Sequence, residues 1–272
     1  MRLSLSEIST PGASFHDDLA AYRAAGFEGI GIWEMKLGDD GEEVAALQAS
    51  GLRATNCVPL VPSILPNAVI EGPADVEERI ASICESMRRL ARYEPESVLC
   101  LTGPAGELGD AEARRLVVEG LQRVAAAADE AGVRLGLEPI HASERDALSL
   151  VTSIPEALDL LAEAELPQVG IMVDLWHLWD TPTIERDLRD HVGRFTGVHV
   201  SDWFPEPRQG RALPGRGVSR TRELVALLAR SGWQGSLDVE IFGDADDPDS
   251  LWSLPVDEAA RRAYEAAVGV LP

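Results

Sequence analysis

With 272 residues, 45% hydrophobic and 26% charged, the chain is long enough for one large domain and too apolar to be disordered. It carries 24 Lys and Arg against 46 Asp and Glu, a formal charge of −22. A surface of that sign repels nucleic-acid phosphates and anionic lipid, so neither is an expected partner. Three cysteines, Cys57, Cys84 and Cys100, fit reduced thiols better than a disulfide framework. The opening MRLSLSEIST has no apolar signal core, and no run approaches the roughly 18 apolar residues of a membrane span, so a cytoplasmic location is expected.

Short apolar runs alternate with stretches of helical period. Strands are expected to begin near Leu3, Gly29, Arg53, Ser97, Val133, Val169, Gly197 and Ser236. Between them, Ser14 with Asp17, Asp75 with Glu78 and Ser153 with Glu156 have capping-box spacing. Thr181-Pro182 reads as a cap and first-turn proline. Gly26, Gly51, Gly132, Gly193 and Gly232 stand where helices should end in a left-handed residue. Val76, Ile80, Ile83, Met87 and Leu90 form one apolar stripe that would pack on a sheet.

Eight strands apolar on both faces, each followed by a helix, specify the α/β class and a single (β/α)8 TIM barrel over residues 1–272. No linker interrupts the pattern. The stretches from Val58 to Pro73 and from Pro205 to Gly217 read as long loops on the active face.

In such a barrel the C-terminal strand ends converge on one mouth. Glu138 closes LGLE, Asp174 closes GIMVD, His199 lies in GVHVSD and Glu240 in LDVEI, at separations close to one βα unit. Three carboxylates and an imidazole near one axis would repel each other, and burying unpaired charge costs several kcal/mol per group. A divalent cation removes that cost. Oxygen and nitrogen ligands without cysteine suit Mn2+, Mg2+, Co2+ or Zn2+ and do not select among them.

The segments GIGIWEMKL, LGLEPIH, VDLWHLW, GVHVSDW, LPGRGV and LDVEIFGD, in this order, resemble the xylose-isomerase-like barrels: sugar phosphate isomerases and epimerases, hydroxypyruvate isomerases, inosose dehydratases and, more distantly, endonuclease IV. The resemblance implies metal ligands at Glu138, Asp174, His199 and Glu240. It also implies Glu138 and Glu240 as proton carriers on opposite sides of the substrate, and His177 at substrate or supporting the ligands. It points to a metal-dependent isomerase or epimerase of a small sugar, sugar phosphate or hydroxy-keto compound, working through a metal-stabilised enediolate with carboxylate acid/base catalysis. Dehydration of a keto-inositol or cleavage of a keto-glycoside by the same barrel is the alternative. Abasic-DNA hydrolysis is disfavoured by five histidines and the charge of −22, and the complete ligand set argues against a non-enzymatic barrel.

Epimerases of this family often carry an arginine shortly after the strand-seven histidine, whereas six residues beyond His199 this chain has Pro205. Arg208, Arg211 and Arg216 are the available substitutes, and Arg216 in PGRG either binds an oxygen-rich or anionic group or solvates the rim. His141 lines the pocket, caps a helix or supports a ligand. Trp33, Trp176, Trp179 and Trp203 face sugar rings at the mouth or serve as packing. Glu34 and Lys36 read as a rim ion pair. The expected partner is a small carbohydrate, with homo-oligomer formation open.

Overall fold

The computed structural model describes residues 1–206 and 209–272. Its strands are β1 (Arg2–Ser6), β2 (Gly29–Gly31), β3 (Arg53–Ala54), β4 (Asn56–Cys57), β5 (Ser97–Cys100), β6 (Leu135–Leu137), β7 (Gly170–Asp174), β8 (Phe195–Val200) and β9 (Ser236–Val239). All pair in parallel in the order β3-β2-β1-β9-β8-β7-β6-β5-β4. Because β3 and β4 are separated only by Thr55, they form one stave and the two ends of the sheet meet: a TIM barrel of eight staves. Each expected strand is present, with boundaries within two residues of the apolar runs.

The helices are α1 (Phe15–Ala25), α2 (Asp40–Ser50), α3 (Val76–Leu90), α4 (Asp110–Ala131), α5 (Arg145–Leu148), α6 (Ile154–Glu163), α7 (Leu175–Leu178), α8 (Ile184–Asp190), α9 (Thr221–Arg230) and α10 (Val256–Val270). Along α3, Ile80, Ile83, Met87 and Leu90 are all buried, each burial stabilising by about 1.5–3 kcal/mol. The backbone N–H groups of Asp17, Glu78 and Glu156 donate to the side chains of Ser14, Asp75 and Ser153, as the capping spacing requires. The Glu156 carboxylate, however, accepts from Thr152 N rather than returning to Ser153.

Two local expectations fail. Helix α8 starts after Thr183, so Thr181-Pro182 lies in the preceding turn, whose backbone bonds Thr181 N to Leu178 O and Ile184 N to Thr181 O. Gly193 sits inside a 3-10 turn and is not left-handed, whereas Gly26, Gly51, Gly132 and Gly232 are.

The barrel interior is layered because strand side chains alternate in direction. Beneath the mouth, Ser4, Thr55, Asn56 and Asp238 are fully buried polar residues, and small residues face them. A Cβ on Gly31 would lie 2.2 Å from Asp238 Oδ2, and one on Gly197 would lie 2.1 Å from Asn56 Oδ1, so only glycine fits either place. Above this layer open the loops that follow β4 and β8. Arg79 fastens the first of them: fully buried, it donates to Ser63 O (2.8 Å), Ser63 Oγ (2.6 Å) and Pro73 O (3.0 Å).

Candidate active site

Glu138 directly follows β6, Asp174 ends β7, His199 lies in β8 and Glu240 directly follows β9. Asp174 is in register with His199, and His199 with Asp238. All four expected ligands are buried. One donor atom each from Glu138, Asp174 and His199 falls within 4.8 Å of the others, close enough to hold one metal ion. His199 Nδ1 lies 3.2 Å from Glu138 Oε1 and 3.7 Å from Glu240 Oε2. Glu240 joins the group through Arg211, whose Nη1 donates to Asp174 Oδ2 at 2.7 Å and to Glu240 Oε2 at 2.8 Å.

The donor chemistry fits a divalent cation. Carboxylate oxygens and one imidazole nitrogen converge. On the other side of the ring from Glu138 and Glu240, His199 Nε2 is a buried atom without a hydrogen-bond partner. It faces Asp238 Oδ2 at 3.9 Å. Asp238 is itself held by Ser4 Oγ at 2.5 Å, an arrangement that can orient His199 from behind.

Charge at the site is finely opposed. Burial raises the Glu138 carboxyl above its usual range, although His199 pulls the other way. Burial would lower His199, but Glu240, Glu138 and Asp238 outweigh it and hold the imidazole well above 6.5. Burial likewise raises Asp238 to about 7. For Asp174 the burial penalty is overcome chiefly by Arg211, with His199 and the Trp176 N–H adding to it, which keeps the carboxylate ionised.

Of the three arginines weighed from the sequence, Arg211 reaches the site. Its guanidinium lies 4.7 Å from the ring centroids of both Trp176 and Phe242. The loop that delivers it is fixed by long-range bonds. Asp202 and Ala212 exchange two backbone bonds of 2.8 Å, Arg211 N donates to Phe242 O, and Asp202 Oδ1 accepts from Ser219 N. Gly210, at φ +85° and with the position of a Cβ 2.7 Å from Phe242 O, makes the turn just before Arg211. Arg216 is exposed and lines a neighbouring cleft with Phe204, Gln209 and Asp244. Arg208 lies outside the described residues.

His177 is buried in α7. Its Nδ1 accepts from His141 N at 3.1 Å. Nε2 in turn faces Arg211 Nη2 at 3.2 Å and Asp174 Oδ2 at 3.6 Å. Burial lowers this imidazole to about 3, so it is neutral. The His141 ring turns away, capping the 3-10 turn at Ser143 and packing on Trp203 with centroids 4.8 Å apart.

Trp203 stacks on Trp176 at 4.7 Å and donates from Nε1 to Trp176 O, so it backs the wall that Trp176 presents. Trp33 packs on the apolar cluster containing Ile8, Val58 and Leu99. Lys36 does not pair with Glu34. It bonds Asp18 and lies 3.7 Å from Glu7, while Glu34 accepts from Leu60 N and lies 3.6 Å from Arg89. The loop carries Lys36 back under α1, out of reach of its neighbour.

Glu138, Glu240, His177, Arg211 and Trp176 line a cavity of about 260 Å³ whose other walls are chiefly apolar. Two residues of the site carry no expectation from the sequence: Asp238 behind His199 and Phe242 beside Arg211. The alternation Asp238, Glu240, Phe242 where the chain runs out of β9 is the signal that points to both.

Residues 19–266 match the family described as xylose isomerase-like TIM barrel. The chain belongs to this family. A 3-dehydroshikimate dehydratase of Pseudomonas aeruginosa is 26% identical over 266 residues, covering 90% of this chain and 38% of its own length, so the chain spans well under half of that relative. A Streptomyces coelicolor protein named provisionally as a hydroxypyruvate isomerase is 29% identical over 262 residues, covering 89% and 91% of the two chains. The crystal structure of IOLI protein, with a zinc atom, superposes with a TM-score of 0.82 at 19% identity over 100% of this chain and 98% of that one.

Proposed function

We propose that this barrel is a divalent-metal-dependent isomerase or epimerase of a small hydroxy-carbonyl compound. The observation that carries the reading is the convergence of Glu138, Asp174 and His199 to within 4.8 Å, with Glu240 tied to Asp174 through Arg211. A cation held by these four residues would act as a Lewis acid, acidifying the C–H beside a carbonyl. Mn2+, Mg2+, Co2+ and Zn2+ all suit the donors.

Glu138 and Glu240 are the proton carriers in this reading. One carboxylate takes the proton from the carbon next to the carbonyl, and the other returns a proton to the adjacent carbon or the opposite face. Glu138, buried beside His199, accepts a proton and later returns it. The His177 ring faces the cavity and positions a substrate oxygen, Arg211 holds the Asp174 and Glu240 carboxylates in place, and Trp176 and Phe242 exclude water.

The 3-dehydroshikimate dehydratase name of one relative favours a second reading, in which the same proton abstraction is followed by loss of a β-hydroxyl as water. The test is turnover of hydroxypyruvate, small ketoses and cyclic hydroxyketones in D2O with Mn2+ added. Deuterium on carbon beside the carbonyl, lost in Glu138→Gln, supports the first reading. A dehydrated product in mass spectra supports the second, and absence of both label and dehydration across the panel overturns the proton-transfer proposal.

A further inference from the structure

The mouth of the barrel has two unlike halves. The ligand donors come from β6 to β9, whereas Ile8 beyond β1, Val58 beyond β4, Leu99 in β5, Leu101 beyond it and Ile140 beyond β6 supply an aliphatic wall. These five residues are packed together as one small cluster, separate from the main core. At the rim, Val69 is 61% and Phe242 40% exposed, so apolar surface continues outward from the cavity.

A compound with a hydroxyl on every carbon would set hydroxyls against this wall, where none of the five side chains can donate or accept. Each would lose its bond to water without replacement. A phosphate ester is no better matched. Among the described residues, Arg211 is the one Lys or Arg lining the cavity, and its guanidinium already serves Asp174 and Glu240. The cavity, of about 260 Å³, falls just below the range of about 300–1,000 Å³ typical of pockets for drug-sized ligands, which suits a compound of about one ring with short substituents.

We propose that the substrate is an α-hydroxyketone with an apolar, ring-sized hydrocarbon body. The hydroxyketone faces Glu138, Glu240 and His177, and the hydrocarbon lies against Ile8, Val58, Leu99, Leu101 and Ile140. This specificity rests on the proposed hydroxy-carbonyl chemistry for its orientation, and on the wall for its preference.

Calorimetric titration of the Mn2+-loaded protein with 2-hydroxycyclohexanone, erythrulose and dihydroxyacetone phosphate tests it. The cyclic probe is expected to bind at least tenfold more tightly than either of the others. Val58→Thr, nearly isosteric, should narrow that ratio severalfold because it adds a hydroxyl to the wall. Equal or tighter binding of erythrulose or the phosphate, or no binding of the cyclic probe, overturns the inference. Exchange of the α-hydrogen in D2O is followed in parallel. Tight binding of the cyclic probe without exchange keeps the specificity and removes the catalytic reading. Exchange of erythrulose with no binding of the cyclic probe does the reverse.

Discussion

Nη1 of Arg211 donates to Oδ2 of Asp174 across 2.7 Å, placing a guanidinium on a carboxylate that is also a candidate metal ligand. Cation and arginine therefore contend for the same negative charge. At about 4 Å and an effective dielectric near 20, two unit charges interact by about 4 kcal/mol, so even a fraction of this repulsion is measurable. Arg211→Met should bind Mn2+ at least about tenfold more tightly than the wild type in calorimetric titration. Unchanged or weaker binding would show that the arginine does not oppose the ion.

His177 and His199 divide the work differently. His199 contributes a donor atom to the three-residue group, whereas His177 spends Nδ1 on the His141 amide and presents Nε2 to the cavity. Elemental analysis after Mn2+ loading should find His199→Ala largely empty and His177→Ala near wild-type content, with α-hydrogen exchange lost in both. An empty His177→Ala would contradict this division.

Behind His199, Asp238 accepts from Ser4 Oγ and sits 3.9 Å from the unpartnered Nε2. Groups that orient a ligating histidine typically change metal affinity by about 10–100-fold when removed. Asp238→Asn should weaken Mn2+ binding within that range while leaving the far-ultraviolet circular dichroism unchanged. An affinity within twofold of wild type would remove Asp238 from the metal-supporting role.

The neutral His177 has a consequence for stability. Its imidazole is lowered to about 3 in the fold, against 6.5 when free, so above 6.5 both states are unprotonated and the group is silent. As pH falls below 6.5 the unfolded chain gains a proton that the native chain refuses, and stability is lost down to about pH 3. From pH 7 to pH 5 this amounts to about 2 kcal/mol for one such group. Glu138 and Asp238, raised by burial, act in the opposite sense and strengthen the fold as pH falls, so the comparison must be with a variant. Urea unfolding of metal-free His177→Gln and wild type should converge in slope above pH 7 and diverge below 6.5, with wild type losing more.

The strands and the convergence of Glu138, Asp174 and His199 were legible because each depends on local pattern. GIMVD and GVHVSD announce a buried strand by their apolar run and a mouth residue by the polar group that ends it. Arg211 could be narrowed only to three candidates, since its position depends on Asp202 meeting Ala212 and on Phe242 from another stave accepting its backbone proton. Lys36 misled for a related reason. Proximity in sequence to Glu34 suggested a pair, but buried Asp18 and Glu7 from other elements offered a less hydrated partner. Arg79 gave no sign at all, because its partners are the Ser63 side chain and the carbonyls of Ser63 and Pro73, and a carbonyl looks the same in every residue.

The polar plug formed by Ser4, Thr55, Asn56 and Asp238, fitted against Gly31 and Gly197, leaves the barrel with a floor. Traffic is thereby one-way in space though not in time. Incoming substrate, outgoing product and expelled water therefore pass the mouth side of the barrel, where Val69 and Phe242 are among the exposed cavity-lining residues. A bulkier residue at either rim position should slow all of these exchanges together, so arrival and departure at this site are kinetically inseparable.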